Sequence, residues 1–187
     1  MADHLELLAQ ALAAEAEGQR LLLEGTPAPE PFARAAAAYR ASWESAPPES
    51  YGRLAGLIKA AVLGDDASDA AAYVLAEVPA GATSPVAAYA SAVALLVQGD
   101  DDAAASAGVA MAAGGDAFER TAAALVALAR GDRTAYAAAL AAIVADFESR
   151  DAHLTGVAIA DTAVMLERLA AVRDLQVRPV SPVMPPV

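Results

Sequence analysis

A chain of 187 residues with 12 basic and 24 acidic side chains has a net charge of −12 and a single lysine, Lys59, so no basic face is available to neutralise phosphates and nucleic acid is not expected as a partner. The absence of cysteine removes disulfides, zinc ribbons and thiol nucleophiles together. Fifty-five alanines beside sparse threonine, isoleucine and aromatic residues favour an all-α domain over a β-sandwich.

Residues 3–24 open with Asp3-x-x-Glu6, a capping-box spacing, and carry leucines at 5, 8, 12 and 21–23, which predicts a first helix ended by Gly25. The proline segment 26–31 cannot continue it. A second helix is expected from about Pro31, with Phe32, Ala36, Tyr39 and Trp43 along one stripe and Pro47-Pro48 as its stop. Residues 51–63 and 67–78 read as a pair of helices turning at Gly64-Asp65. Ser84-Pro85 restarts the chain as an N-cap followed by proline at the first helical position, and opens a third pair, 85–98 with 101–113. Asp116-x-x-Glu119 is expected to cap the next helix, and residues 117–147 read as two helices folded back on each other at Gly131-Asp132. Tyr136, Leu140, Ile143, Val144 and Phe147 form the core face of the second of these. A ninth helix over residues 155–173 is expected to cover the exposed end of the last pair. Residues 176–187 hold four prolines and are expected to be extended, with Val180 and Val183 in contact with the chain's own helices or, alternatively, with a neighbouring copy as a homo-oligomer contact.

Glycine–aspartate recurs at 64–65, 99–100 and 131–132, with the glycines 35 and 32 residues apart, the spacing of stacked helical hairpins. Each of these glycines is expected just past a helix end in a left-handed conformation, with the aspartate capping the following helix. Over about residues 25–147 the arrangement resembles tetratricopeptide-type repeats, which turn at a Gly-Asp before their second helix as Gly99-Asp100 and Gly131-Asp132 do. That resemblance implies an α-solenoid of hairpins that binds a peptide or another protein.

Candidate chemistry is sparse. His153 has Asp146, Glu148, Asp151 and Asp161 nearby in sequence, yet Asp146 and Arg150 are i, i+4 surface partners and no two-histidine ligand pattern occurs, so a surface or capping role is expected. Asp161 lies inside the apolar run GVAIADTAVML and must face solvent or find a partner, because an unpaired buried carboxylate is costly. The run Asp100-Asp101-Asp102 lacks the alternating ligands of a calcium loop, and no phosphate loop, nucleophile elbow or dinucleotide fingerprint is present. The aromatic group Phe32, Tyr39, Trp43 and Tyr51 is expected in the core, with an exposed binding patch as the alternative.

These readings converge on one all-α domain over residues 1–175, an array of antiparallel helical hairpins resembling a tetratricopeptide solenoid with about nine helices, followed by the proline-rich tail 176–187. The expected function is that of a non-catalytic protein-interaction module, with Tyr39, Trp43, Tyr51, His153 and Asp161 as the candidate partner-binding residues, no cofactor and no metal. Two alternatives accompany it: an acidic inhibitor or immunity-type protein that binds a basic partner, and an enzyme with an apolar helix-lined pocket around Asp161 and His153. Charge-free runs at 83–99 and 103–115 are too short and too dilute in large apolar residues for a membrane span, and the acidic N-terminus does not read as a secretory signal, so a cytoplasmic location is expected.

Overall fold

Alanine-rich segments punctuated by proline and glycine become nine α-helices among residues 3–186, the residues that this computed structural model describes, with no strand among them. Residues 1 and 2 of the expected domain and residue 187 of the expected tail lie outside the described residues. The helices are α1 (His4–Leu23), α2 (Pro29–Ser45), α3 (Gly52–Leu63), α4 (Ser68–Glu77), α5 (Pro85–Gln98), α6 (Asp101–Met111), α7 (Asp116–Ala129), α8 (Arg133–Glu148) and α9 (Asp161–Ala171). A 3-10 turn, Ala112–Gly114, follows α6.

Chain neighbours pack on one another: α1 on α2, α2 on α3, α4 on α5, α5 on α6, α6 on α7 and α7 on α8. Four contacts cross this order, α3 on α5, α5 on α7, α9 on α3 and α9 on α7. The last helix therefore returns to the middle of the chain as well as meeting α7 and α8, and does not merely cover the end of the last pair as the sequence suggests. The centre of the core is α3, whose residues 56–58 and 60–63 are buried because α2, α4, α5 and α9 surround it. A helix enclosed on this many sides leaves a charged residue within it little access to solvent, and Lys59 is such a residue, with its side chain 14% exposed.

The helix ends follow the sequence in most places. Asp100 accepts from the N–H of Ala103 at 3.2 Å and Asp132 from that of Ala135 at 3.0 Å, while Gly99 (φ +78°) and Gly131 (φ +67°) are left-handed as expected. The turn at Gly64-Asp65 differs. Gly64 has φ −91°, and the left-handed position falls on Asp65 (φ +62°), which caps nothing and instead accepts from the Arg168 guanidinium of α9. Gly64 is small for another reason: a Cβ there would come within 3.3 Å of the Cβ of Phe32, where the end of α3 meets the start of α2. Asp116 also departs from expectation, since it is the first residue of α7 behind Gly115 and makes no side-chain cap.

Three further expectations need correction. The ninth helix begins at Asp161 rather than Thr155, because Gly156 is left-handed (φ +74°) and the N–H of Ala160 is taken by the carbonyl of Val183 at 2.7 Å. Trp43 is only half-buried; its indole Nε1 donates to Glu77 at 2.8 Å and its ring stacks on Tyr51 with centroids 5.7 Å apart, so the aromatic stripe of α2 sinks into the core at Phe32 and Tyr39 but surfaces at Trp43. Beyond α9, Val183 and Met184 are buried against the chain's own helices, whereas Val180 is 93% exposed and makes no such contact.

Candidate functional site

The helix order brings together residues that are far apart in sequence and not distinguished by any motif. On the core-facing side of α1, Glu15 and Gln19 lie one turn apart, both buried; Tyr39 of α2, Lys59 of α3 and Asp161 at the start of α9 converge on them. Lys59 Nζ lies 2.7 Å from Glu15 Oε1 and 2.5 Å from Asp161 Oδ2, a pairing that spans 102 residues. Glu15 Oε2 accepts from the Tyr39 hydroxyl at 2.6 Å, and Gln19 Nε2 donates to Asp161 at 3.2 Å and to Glu15 at 3.4 Å. The Thr155 hydroxyl donates to the side-chain amide oxygen of Gln19, and the second Asp161 oxygen accepts from the N–H of Thr162 at 2.7 Å.

Local sequence explains this placement. Gly56 is what allows Tyr39 to reach Glu15: a Cβ at that position would lie 2.6 Å from the tyrosine ring, so only glycine lets the ring lie against α3. Asp161 sits in the first turn of α9, where the unpaired N–H groups and the helix dipole favour a carboxylate.

Burial sets the protonation of the cluster. It works to lower the Lys59 pKa, but the carboxylates of Asp161 and then Glu15 outweigh it and hold the ammonium well above its ordinary value. Burial, reinforced by Glu15, pushes the Tyr39 hydroxyl far up, and burial does the same to Tyr89 on α5 against the opposing pull of Lys59. An ammonium and two neutral phenols therefore face the two carboxylates across the physiological range. None of the three is a nucleophile or base near neutral pH.

This cluster forms one end of a cleft of about 330 Å³. The walls are apolar, with Val86, Met111, Phe118, Ile143 and Phe147 among the lining residues. At the other end Asp146 of α8 is shared by two arginines: Arg120 of α7 lies 2.6 Å from its Oδ1, and Arg150 lies 2.5 Å and 3.0 Å from its Oδ2 through two nitrogens. The Arg150 guanidinium sits 3.7 Å over the ring of Phe147, on which His153 also stacks with centroids 6.1 Å apart. His153 Nδ1 is buried and has no hydrogen-bond partner.

Of the residues singled out in the sequence, Tyr39, His153 and Asp161 line this one cleft, while Trp43 and Tyr51 stack on each other outside its lining. The expectation that Asp146 and Arg150 pair along the helix surface is met, but Arg120 joins them. Sequence reasoning missed Glu15, Gln19, Lys59 and Tyr89. The available signal was Lys59 itself, the only lysine of the chain, set in the apolar helix LAGLIKAAVL. Among the described residues no group of three or more histidine, cysteine, aspartate or glutamate side chains is placed to hold a metal ion, and no helix is long and apolar enough to cross a membrane. No protein-family model, curated protein or solved structure matches the chain.

Proposed function

We propose that the chain is a non-catalytic interaction module whose working surface is the cleft between the Lys59 cluster and the Arg120–Asp146–Arg150 cluster. The observation that carries this reading is the contrast between the cleft's apolar walls and the state of its polar groups: an open, mainly apolar cleft of ligand-binding size beside an ammonium and phenols held in their unreactive forms. Its size suits one bulky apolar group presented by a peptide or protein partner. Pairwise packing of α1 with α2, α5 with α6 and α7 with α8 supports the view of stacked hairpins resembling tetratricopeptide repeats, and such arrays bind peptides. The tail belongs to this view as a strap that turns at Pro182–Val183, rather than running extended throughout, and seats Val183 and Met184 on its own chain, which favours self-docking over exchange between copies. A net charge of −12 steers a partner with positive charge toward the molecule.

The enzyme alternative gains from Asp161 and His153 lining the same cleft, but Asp161 is already engaged by Lys59, Gln19 and the N–H of Thr162, so its oxygens are occupied by the chain itself. Binding of a labelled peptide with a single internal phenylalanine, followed by fluorescence polarisation, tests the proposal. The expected result is at least a tenfold weaker affinity for Thr121→Trp, which fills the cleft, with unchanged helicity by circular dichroism. Equal affinity for the filled variant overturns the cleft as the working surface.

A further inference from the structure

The two ends of the cleft are built from the same kinds of group in opposite proportion, and they differ in what they leave unused. At the buried end two carboxylates face one ammonium, a formal excess of one negative charge. All four carboxylate oxygens there already accept hydrogen bonds from Lys59, Gln19, Tyr39 or the N–H of Thr162. Every oxygen there is thus already engaged by the chain itself, and the two that meet Lys59 also accept from Gln19. At the other end two guanidinium groups face one carboxylate, a formal excess of one positive charge. A guanidinium carries five N–H donors, yet Arg120 uses one nitrogen on Asp146 and Arg150 uses two, and the buried Nδ1 of His153 beside them has no partner. The guanidinium N–H groups not spent on Asp146 and the excess positive charge at this end match an anion of the size and planarity of a carboxylate.

The surroundings say how that carboxylate is attached. Arg120 and Arg150 are partly exposed, with side chains 30% and 34% accessible, whereas Met111, Ile143 and Phe147 of the apolar lining are buried. Leu154, which also lines the cleft, is 79% exposed, an unpartnered apolar side chain where a chain leaving the cleft would lie. Resting on the cleft reading above, we infer that the occupant is the C-terminal residue of a polypeptide: a bulky apolar side chain enters the cleft, its free α-carboxylate meets Arg120, Arg150 and His153, and the preceding residues run out over Leu154. The net charge of the whole protein opposes anions at long range, so discrimination rests on short-range charge-assisted hydrogen bonds to the two partly exposed guanidinium groups.

The test uses the full chain and three probes: a fluorescein-labelled alanine-rich hexapeptide ending in phenylalanine with a free carboxylate, the same peptide with a C-terminal amide, and 3-phenylpropionate as unlabelled competitor. The free-acid peptide is expected to bind at least about tenfold more tightly than the amide, as the loss of a charge-assisted contact implies. Arg120→Gln and Arg150→Gln should each reduce that preference severalfold without abolishing binding of the amide, and His153→Phe, which keeps the stack on Phe147, should reduce it by less. Arg150→Lys, which keeps the charge but not the fork, controls for lost folding and is expected to retain part of the preference. Equal affinity of acid and amide, with both still lost in Thr121→Trp, overturns the carboxylate inference and leaves the cleft reading standing. No binding of either peptide overturns both. If 3-phenylpropionate binds as tightly as the free-acid peptide, the ligand is a small apolar acid and the polypeptide assignment is wrong.

Discussion

Two charged triads, Glu15–Lys59–Asp161 and Arg120–Asp146–Arg150, sit at opposite ends of one cleft and have nearly mirror-image compositions, yet their physical roles differ because their burial differs. In the first, Glu15 is fully buried and Lys59 and Asp161 are 14% and 13% exposed; in the second every side chain is between 28% and 34% exposed. Buried charges cannot trade a lost partner for water, so each member of the inner triad holds the others in place and ties α1, α3 and α9 into one body. The outer triad is screened and can exchange Asp146 for water or for a ligand at little cost. One triad is a brace; the other has the freedom that the proposed receptor role requires.

Breaking the inner triad should produce the largest effect. Lys59→Met keeps the length of the side chain but strands two carboxylates, and is expected to destabilise the fold by about 3 to 5 kcal/mol in urea denaturation. Adding Glu15→Met and Asp161→Asn to it should recover much of that loss, since the penalty lies in the unpaired charge rather than in the missing attraction. A near-neutral single variant would show that the triad is not the brace.

The same triad can be dissected by pH. The folded-state pKa values of Lys59, Tyr39 and Tyr89 all lie above their ordinary values near 10, so the folded state holds more protons than the unfolded chain above that pH. Their contribution is fully present below about pH 10 and is lost as pH rises toward the folded-state values. Stability followed by circular dichroism should thus fall progressively in alkaline solution, and a smaller fall is expected in Tyr39→Phe than in the parent chain. A flat profile to pH 12 contradicts the assignment.

Tyr39→Phe at neutral pH should cost about 1.5 to 3 kcal/mol, because it removes a hydrogen bond to a charged acceptor and leaves Glu15 Oε2 without a donor. Arg120→Ala, at the outer triad, is expected to cost no more than about 1 kcal/mol and to lose even that in 1 M salt. If Arg120→Ala proves as damaging as Tyr39→Phe, the contrast between the two triads fails, and the outer one must be counted as structural.

Sequence alone determined the local features of this protein. Alanine content set the fold class, proline and glycine set most of the helix ends, and the aspartates at 100 and 132 capped the helices that follow them, because all of these depend on backbone conformation within a few residues. Asp161 stood out for the same reason, a carboxylate in an apolar run that had to find a partner. The identity of that partner was not legible: Lys59 is 102 residues away, Glu15 reads as one more charge on an amphipathic helix, and only the return of α9 onto α3 puts the three together. Tertiary structure also decided where α9 begins, since the N–H of Ala160 is claimed by Val183 of the tail, and which of the aromatic residues on α2 are enclosed. The division follows from range. Helix formation and capping are short-range and are written in consecutive residues, whereas a buried ion network is stable only in the low-dielectric space that packing creates, and no stretch of chain carries that space within itself.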